Sequence, residues 1–165
     1  MYYHVQVHKR IPEEEGTAFK HEVETILNDP RGWDVEFTRL KTVNQIKNKP
    51  KKQAFLIRLT PDDVISTMYP DFQEDQLSVA NMDDRIIDIN YCRWTEDCPN
   101  DSQLALENYH QYVVMHEVGH ILGKPHPAPS KLPNQTKAPI MMQQTLGIQN
   151  YQPNSWPTNF DRNVL

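Results

Sequence analysis

Residues His116 to His126 read HEVGHILGKPH, and the spacing of five of those positions decides how the rest of the chain is read. On a helix, side chains four residues apart stand on one face. His116 and His120 therefore present two imidazoles to the same point while Glu117 projects beside them. Two nitrogens alone do not hold a catalytic metal. Gly123 can adopt the positive φ that ends a helix and Pro125 prevents the helix from resuming, so the chain can fold back and deliver His126 as a third donor. Three neutral imidazoles suit zinc and leave its fourth position open to water. The metal lowers the pKa of that water, and Glu117, not itself a ligand, is placed to take the proton and pass it to a leaving amine. The expected chemistry is hydrolysis of an amide. The five-position pattern arises by chance in about one chain in 10⁵ at background residue usage, against about one in a few hundred for the bare HExxH.

Working outward, the 165 residues are enough for one domain with its own core. No apolar run approaches the roughly 18 residues of a membrane span. The formal net charge of −5 provides no global positive field for nucleic acid or an anionic membrane, so neither is expected as a partner. The opening MYYHVQVHKR lacks the apolar core of a secretory signal, which predicts a cytosolic protein or a trimmed piece of an exported one. Cys92 and Cys98 are too few for a disulfide framework or a structural zinc site; a local bond across a turn and two reduced thiols are both open.

Alternation predicts a first strand over Tyr2–His8. Ala18, Phe19, Val23, Ile26 and Leu27 recur at helical spacing within Pro12–Leu27, with Glu13 to Glu15 in the first turn. Strands are expected over Val35–Lys41 and Ala54–Leu59, joined by a solvated, lysine-rich hairpin loop at Asn44–Gln53. A short helix capped by Thr60 should run to Met68, followed by strands at Leu77–Asn81 and Arg85–Tyr91. The long helix is expected from about Ser102 to Leu122, behind the cap formers Asn100, Asp101 and Ser102. Seven of the thirteen prolines fall from Pro125 onward, which predicts an irregular tail held by packing and by the metal.

HEVGHILGKPH resembles the zinc-binding signature of the metzincin metallopeptidases. In that clan a tight turn carrying a methionine lies beneath the metal, and PIMMQ at Pro139 to Gln143 looks like it, with Met141 the first choice and Met142 the second. Pro127 after the third histidine is similar to the serralysin branch, and NDPRGW at Asn28 to Trp33 with MMQQT at Met141 to Thr145 resemble small bacterial metzincin-like domains. The resemblance implies a single zincin-like α/β domain over residues 1–165. It would have a twisted mixed sheet with an edge strand, two long helices, an upper subdomain to about Gly123 and a small irregular lower one from about Lys124. It implies a monomeric zinc endopeptidase that binds a polypeptide along the edge strand near Leu77–Asn81, with Glu117 acting on a zinc-bound water. The alternative is a metzincin-like zinc module with a structural or partner-binding role. The sequence departs from several branches at Gln143, where a tyrosine would stabilise the oxyanion; Tyr151 is a substitute by position only. Tyr109 and Tyr112 share the helix face of His116 and are expected in the core beneath the site or on the cleft wall.

Overall fold

Tyr and Val alternate with polar residues in β1 (Tyr2–Val7), and the alternation buries Tyr3 and Val5. The computed structural model describes residues 1–72 and 75–163. After β1 the chain enters α1 (Glu13–Leu27), whose three first-turn glutamates complement the helix dipole and whose Phe19, Val23, Ile26 and Leu27 are buried. Ala18, expected on the apolar face, is exposed. There follow β2 (Thr38–Arg39), α2 (Val43–Lys47), β3 (Ala54–Thr60), α3 (Asp62–Met68), β4 (Val79–Asn81), β5 (Ile86–Asn90), α4 (Tyr91–Trp94), α5 (Leu106–Ile121) and α6 (Asn159–Asn163).

The strands form one sheet in the order β2-β1-β3-β5-β4, parallel throughout except for β4, which runs antiparallel to β5. The architecture is thus mixed α/β, with an antiparallel edge strand on a parallel sheet. Register places Tyr3 beside Phe55, Val5 beside Ile57 and Ile57 beside Ile87, so one face of the sheet is a continuous apolar layer. That layer joins Phe19 and Val23 of α1 and Val113, Met115 and Val118 of α5 in a single core. Among the described residues no helix is long and apolar enough to cross a membrane.

Four expectations are corrected. The strand over Val35–Lys41 shrinks to Thr38–Arg39, because the next carbonyl, Leu40 O, accepts from the His4 ring at 2.8 Å and the chain leaves the ladder. β2 and β3 do not form a hairpin. Both lie parallel to β1, one on each side, and parallel strands need a crossover. That crossover carries α2, capped by Thr42 and Gln45 in a reciprocal capping box. Thr60 does not cap α3; Pro61 stands there, and the Thr60 hydroxyl donates to Asp88 of β5 at 2.7 Å. The long helix starts at Leu106 because Asn100 and Ser102 accept from the backbone of Ser102 and Leu104, making turns instead of a helical cap.

Cys92 and Cys98 form a disulfide. The tail is irregular as expected, and amide side chains stand in for a ladder: Gln144 exchanges two hydrogen bonds with the Asn154 backbone, and Asn154 donates to Ala138 O.

Candidate metal centre

The end of α5 builds half of the site by backbone geometry alone. Gly123 has φ +86°, its N–H donates to His120 O, and Lys124 N donates to Gly119 O, the paired bonds of a Schellman motif. This turn aims the Lys124 carbonyl back at the helix, where it accepts from His120 Nδ1 at 2.9 Å. Pro125 follows, and the returning chain brings His126 to the two helical histidines. The Nε2 atoms of His116 and His120 each lie 3.0 Å from His126 Nε2. Among the described residues these three form the one group of metal-binding side chains whose ligand atoms all lie within 4.8 Å of one another.

The tautomers favour a cation. A carbonyl only accepts, so His116 Nδ1, 2.8 Å from Ile140 O, and His120 Nδ1 must carry hydrogens, which leaves both Nε2 lone pairs facing His126. One proton on His126 Nε2 cannot satisfy both. A tetrahedral zinc with bonds of about 2.0–2.1 Å would hold its nitrogens about 3.3 Å apart, close to the spacing found. Burial pushes the pKa of His116 well below its usual value, aided by the neighbouring rings; burial lowers His120 too, and lowers His126 to about 4. All three rings are neutral at pH 7, the form that binds metal. The residues fit a zinc ion.

Beneath them lies a tight turn in which Met142 N donates to Pro139 O at 3.1 Å. Of its two methionines, Met141 is the one against α5: a Cβ on Gly119 would stand 2.3 Å from Met141 Sδ and 2.9 Å from the Trp33 ring. Trp33 is itself fixed, its indole N–H donating to Met115 O at 2.9 Å. The thioether can swing away but the indole cannot. Gly119→Ala is therefore expected to cost about 1–3 kcal/mol by overpacking, read by urea denaturation of the metal-free protein. Unchanged stability would mean that the glycine is not required by packing.

Asp161 was not legible as part of the site. Its buried carboxylate accepts from Ile140 N and Met141 N, at 3.0 and 3.1 Å, and from Thr158 N and the Thr158 hydroxyl at 2.8 and 2.6 Å. It thereby fixes the turn whose Ile140 carbonyl orients His116. The signal available was Thr158-x-x-Asp161, a capping-box spacing that also starts α6. Asp161→Ala strands four donors and is expected to cost on the order of 3 kcal/mol, measured by thermal or urea unfolding. A loss below about 0.5 kcal/mol would remove Asp161 from this role.

A cleft of about 150 Å³ opens beside the histidines, between β4 and α5, lined by Val79, Ala80, Tyr109, Val113 and Glu117 among others. Glu117 is 6% exposed, and no donor or cation among the described residues sits on its carboxyl. Burial alone raises its pKa to about 8. Other buried carboxylates are fully occupied: Asp88 takes Arg58, Thr60 and Tyr69. A buried carboxyl left bare in a cleft marks a functional group more than a structural one.

A family model described as a protein of unknown function, DUF3152, matches residues 1–162. The chain belongs to the DUF3152 family. No curated protein and no solved structure matches this DUF3152 chain. Of its remaining candidates, Tyr109 and Tyr112 are buried and also line the cleft. The Tyr112 hydroxyl donates to Met142 O and accepts from Gln144 N, so it braces the turn. Tyr151 is not brought to the cleft. Its hydroxyl donates to Pro133 O at 2.7 Å, which corrects its candidacy as oxyanion helper. Gln143 does line the cleft.

Proposed function

We propose that this chain is a zinc-dependent endopeptidase of the metzincin type, with zinc on His116, His120 and His126 and Glu117 as general base. One observation carries the reading: three Nε2 atoms converge in a cleft also lined by Glu117, a bare, buried carboxyl on the helix that carries two of them. Zinc bound there would supply Lewis acidity to water and to the carbonyl of the scissile amide. Glu117, one residue along from His116, takes the proton of the attacking water and delivers it to the leaving nitrogen. A nearby divalent charge favours the ionised carboxylate, offsetting the desolvation that otherwise keeps it protonated. The polypeptide lies along the outer edge of β4, adding its backbone as a further strand. In this reading the sheet with its antiparallel edge is the zincin-like upper part, the tail from Lys124 is the lower wall, and Met141 is the Met-turn residue.

A second reading, a zinc module for folding or partner recognition, is favoured by one feature. Gln143 replaces the oxyanion tyrosine, and Tyr151 is engaged elsewhere. The two are separated by zinc analysis of the purified protein together with digestion of an unbiased peptide library, with and without chelator. One zinc per chain with chelator-sensitive cleavage is expected. Zinc without cleavage would select the second reading, and neither zinc nor cleavage would reject both.

A further inference from the structure

The rim of the cleft is tied to the rest of the molecule by a buried arginine. Arg93, in α4, is 6% exposed; its Nε donates to Gln76 O at 2.7 Å, its two terminal nitrogens donate to Asp75 O and Pro99 O, and the guanidinium also faces the Tyr109 hydroxyl of α5. A buried cation is costly unless its donors are used, and two of these bonds fall on Asp75 and Gln76, the residues that lead into β4. Arg93 is held in its turn. The Cys92–Cys98 disulfide closes the loop around it, and the Asn90 side chain accepts from Cys92 N while donating to Gln76 O. Its neighbour Trp94 stacks on His110 of α5 with centroids 3.6 Å apart, and Trp94 O accepts from His110 Nε2 at 2.8 Å. One continuous set of contacts therefore runs from α5, which carries His116 and Glu117, through α4 and Arg93 to the strand that faces them.

We propose that Arg93 is a positioning residue for the substrate-binding rim: it sets the gap between β4 and the face of α5 that bears His116 and Glu117, and so governs the binding of an extended peptide. It touches neither metal nor substrate. The proposal rests on the peptidase reading for the identity of the ligand, but the hold on β4 is a property of the chain alone.

The test compares Arg93→Met and Arg93→Lys with the parent. In the metal-free proteins, amide hydrogen exchange over residues 77–81 should quicken about tenfold in Arg93→Met while α1 exchanges as before, the loss corresponding to one charged hydrogen bond. Arg93→Lys should recover part of it. In the zinc-loaded proteins a peptidyl hydroxamate should bind about tenfold more weakly to Arg93→Met while acetohydroxamate, which needs the metal alone, binds unchanged. KM for peptide should rise with kcat held. A uniform rise in exchange, or equal weakening of both hydroxamates, would make Arg93 merely structural and overturn the proposal. If Arg93→Met does not fold, the double variant Cys92→Ser/Cys98→Ser, which frees the loop around Arg93, is judged by the same two comparisons. A parent that binds no zinc or hydroxamate would sink the peptidase reading, and exchange at 77–81 would still decide whether Arg93 holds the rim.

Discussion

Glu117→Gln is expected to keep the fold and the metal while losing peptide hydrolysis by about 10²- to 10⁴-fold, the range for removing a positioned general base. The substitution conserves shape and removes only the capacity to take a proton. Because no donor among the described residues is bonded to the carboxyl, the change strands none of them. Stability should move in a direction that identifies the group. Burial raises the Glu117 pKa to about 8, above its ordinary value of 4.5, so the folded protein binds a proton that the unfolded chain has released. Glu117's own contribution to the stability of the metal-free parent is therefore lost as pH rises through about 8, and the Gln variant has no such contribution to lose. The histidines, with pKa values pushed down, act below about 6.5, where they cost stability on acidification. From pH 6.5 to 8 the widening gap between the two proteins isolates Glu117. Hydrolysis by Glu117→Gln at the parent rate would assign the base elsewhere, and parallel melting curves over that window would remove the buried, protonated carboxyl.

What was legible in the sequence is what has a local cause. The pairing of His116 with His120 follows from helical spacing, and the return of His126 follows from a glycine at positive φ before a proline; neither depends on the rest of the chain. The α1 stripe and the apolar strand Ala54–Leu59, which extends to Thr60 in the fold, are readable for the same reason. The misses are contests between local signal and tertiary partner. Thr60 has the composition of a cap, but buried Asp88 lies within reach and takes its hydroxyl. Val35–Lys41 has strand composition, but pairing stops where the His4 ring takes the Leu40 carbonyl. Thr42-x-x-Gln45 is a plain capping box set within a lysine-rich stretch whose composition reads as a loop. Asp161 and Arg93 belong to another class: each acts on backbone groups distant in sequence, and no periodicity links a side chain to a carbonyl or amide it meets only in the fold.

The same division between local and distant contacts makes the ligand substitutions distinguishable. His116→Ala and His126→Ala should each weaken zinc by more than about 10²-fold, since removal of a direct ligand exceeds the 10- to 100-fold seen for groups that merely orient one. Metal binding adds to folding free energy, so the parent in zinc at 1,000 times its Kd should gain about 4 kcal/mol, and neither variant should show that gain. Their metal-free stabilities should differ. His116 is buried and donates to Ile140 O, so its loss opens a cavity and leaves that carbonyl without its partner. About 1–3 kcal/mol is expected to go with it. His126 is the exposed member of the three, and its replacement should stay within about 0.5 kcal/mol of the metal-free parent. Melting curves of the three proteins with zinc and with chelator read both effects at once. Chelator should lower the parent by the full gain and lower His126→Ala by no more than about 1.4 kcal/mol, the rise left at zinc 10 times a Kd weakened 10²-fold. If His126→Ala kept the full zinc-dependent rise, the third nitrogen would not come from the returning chain, and the convergence of three Nε2 atoms would lose its meaning as a metal site.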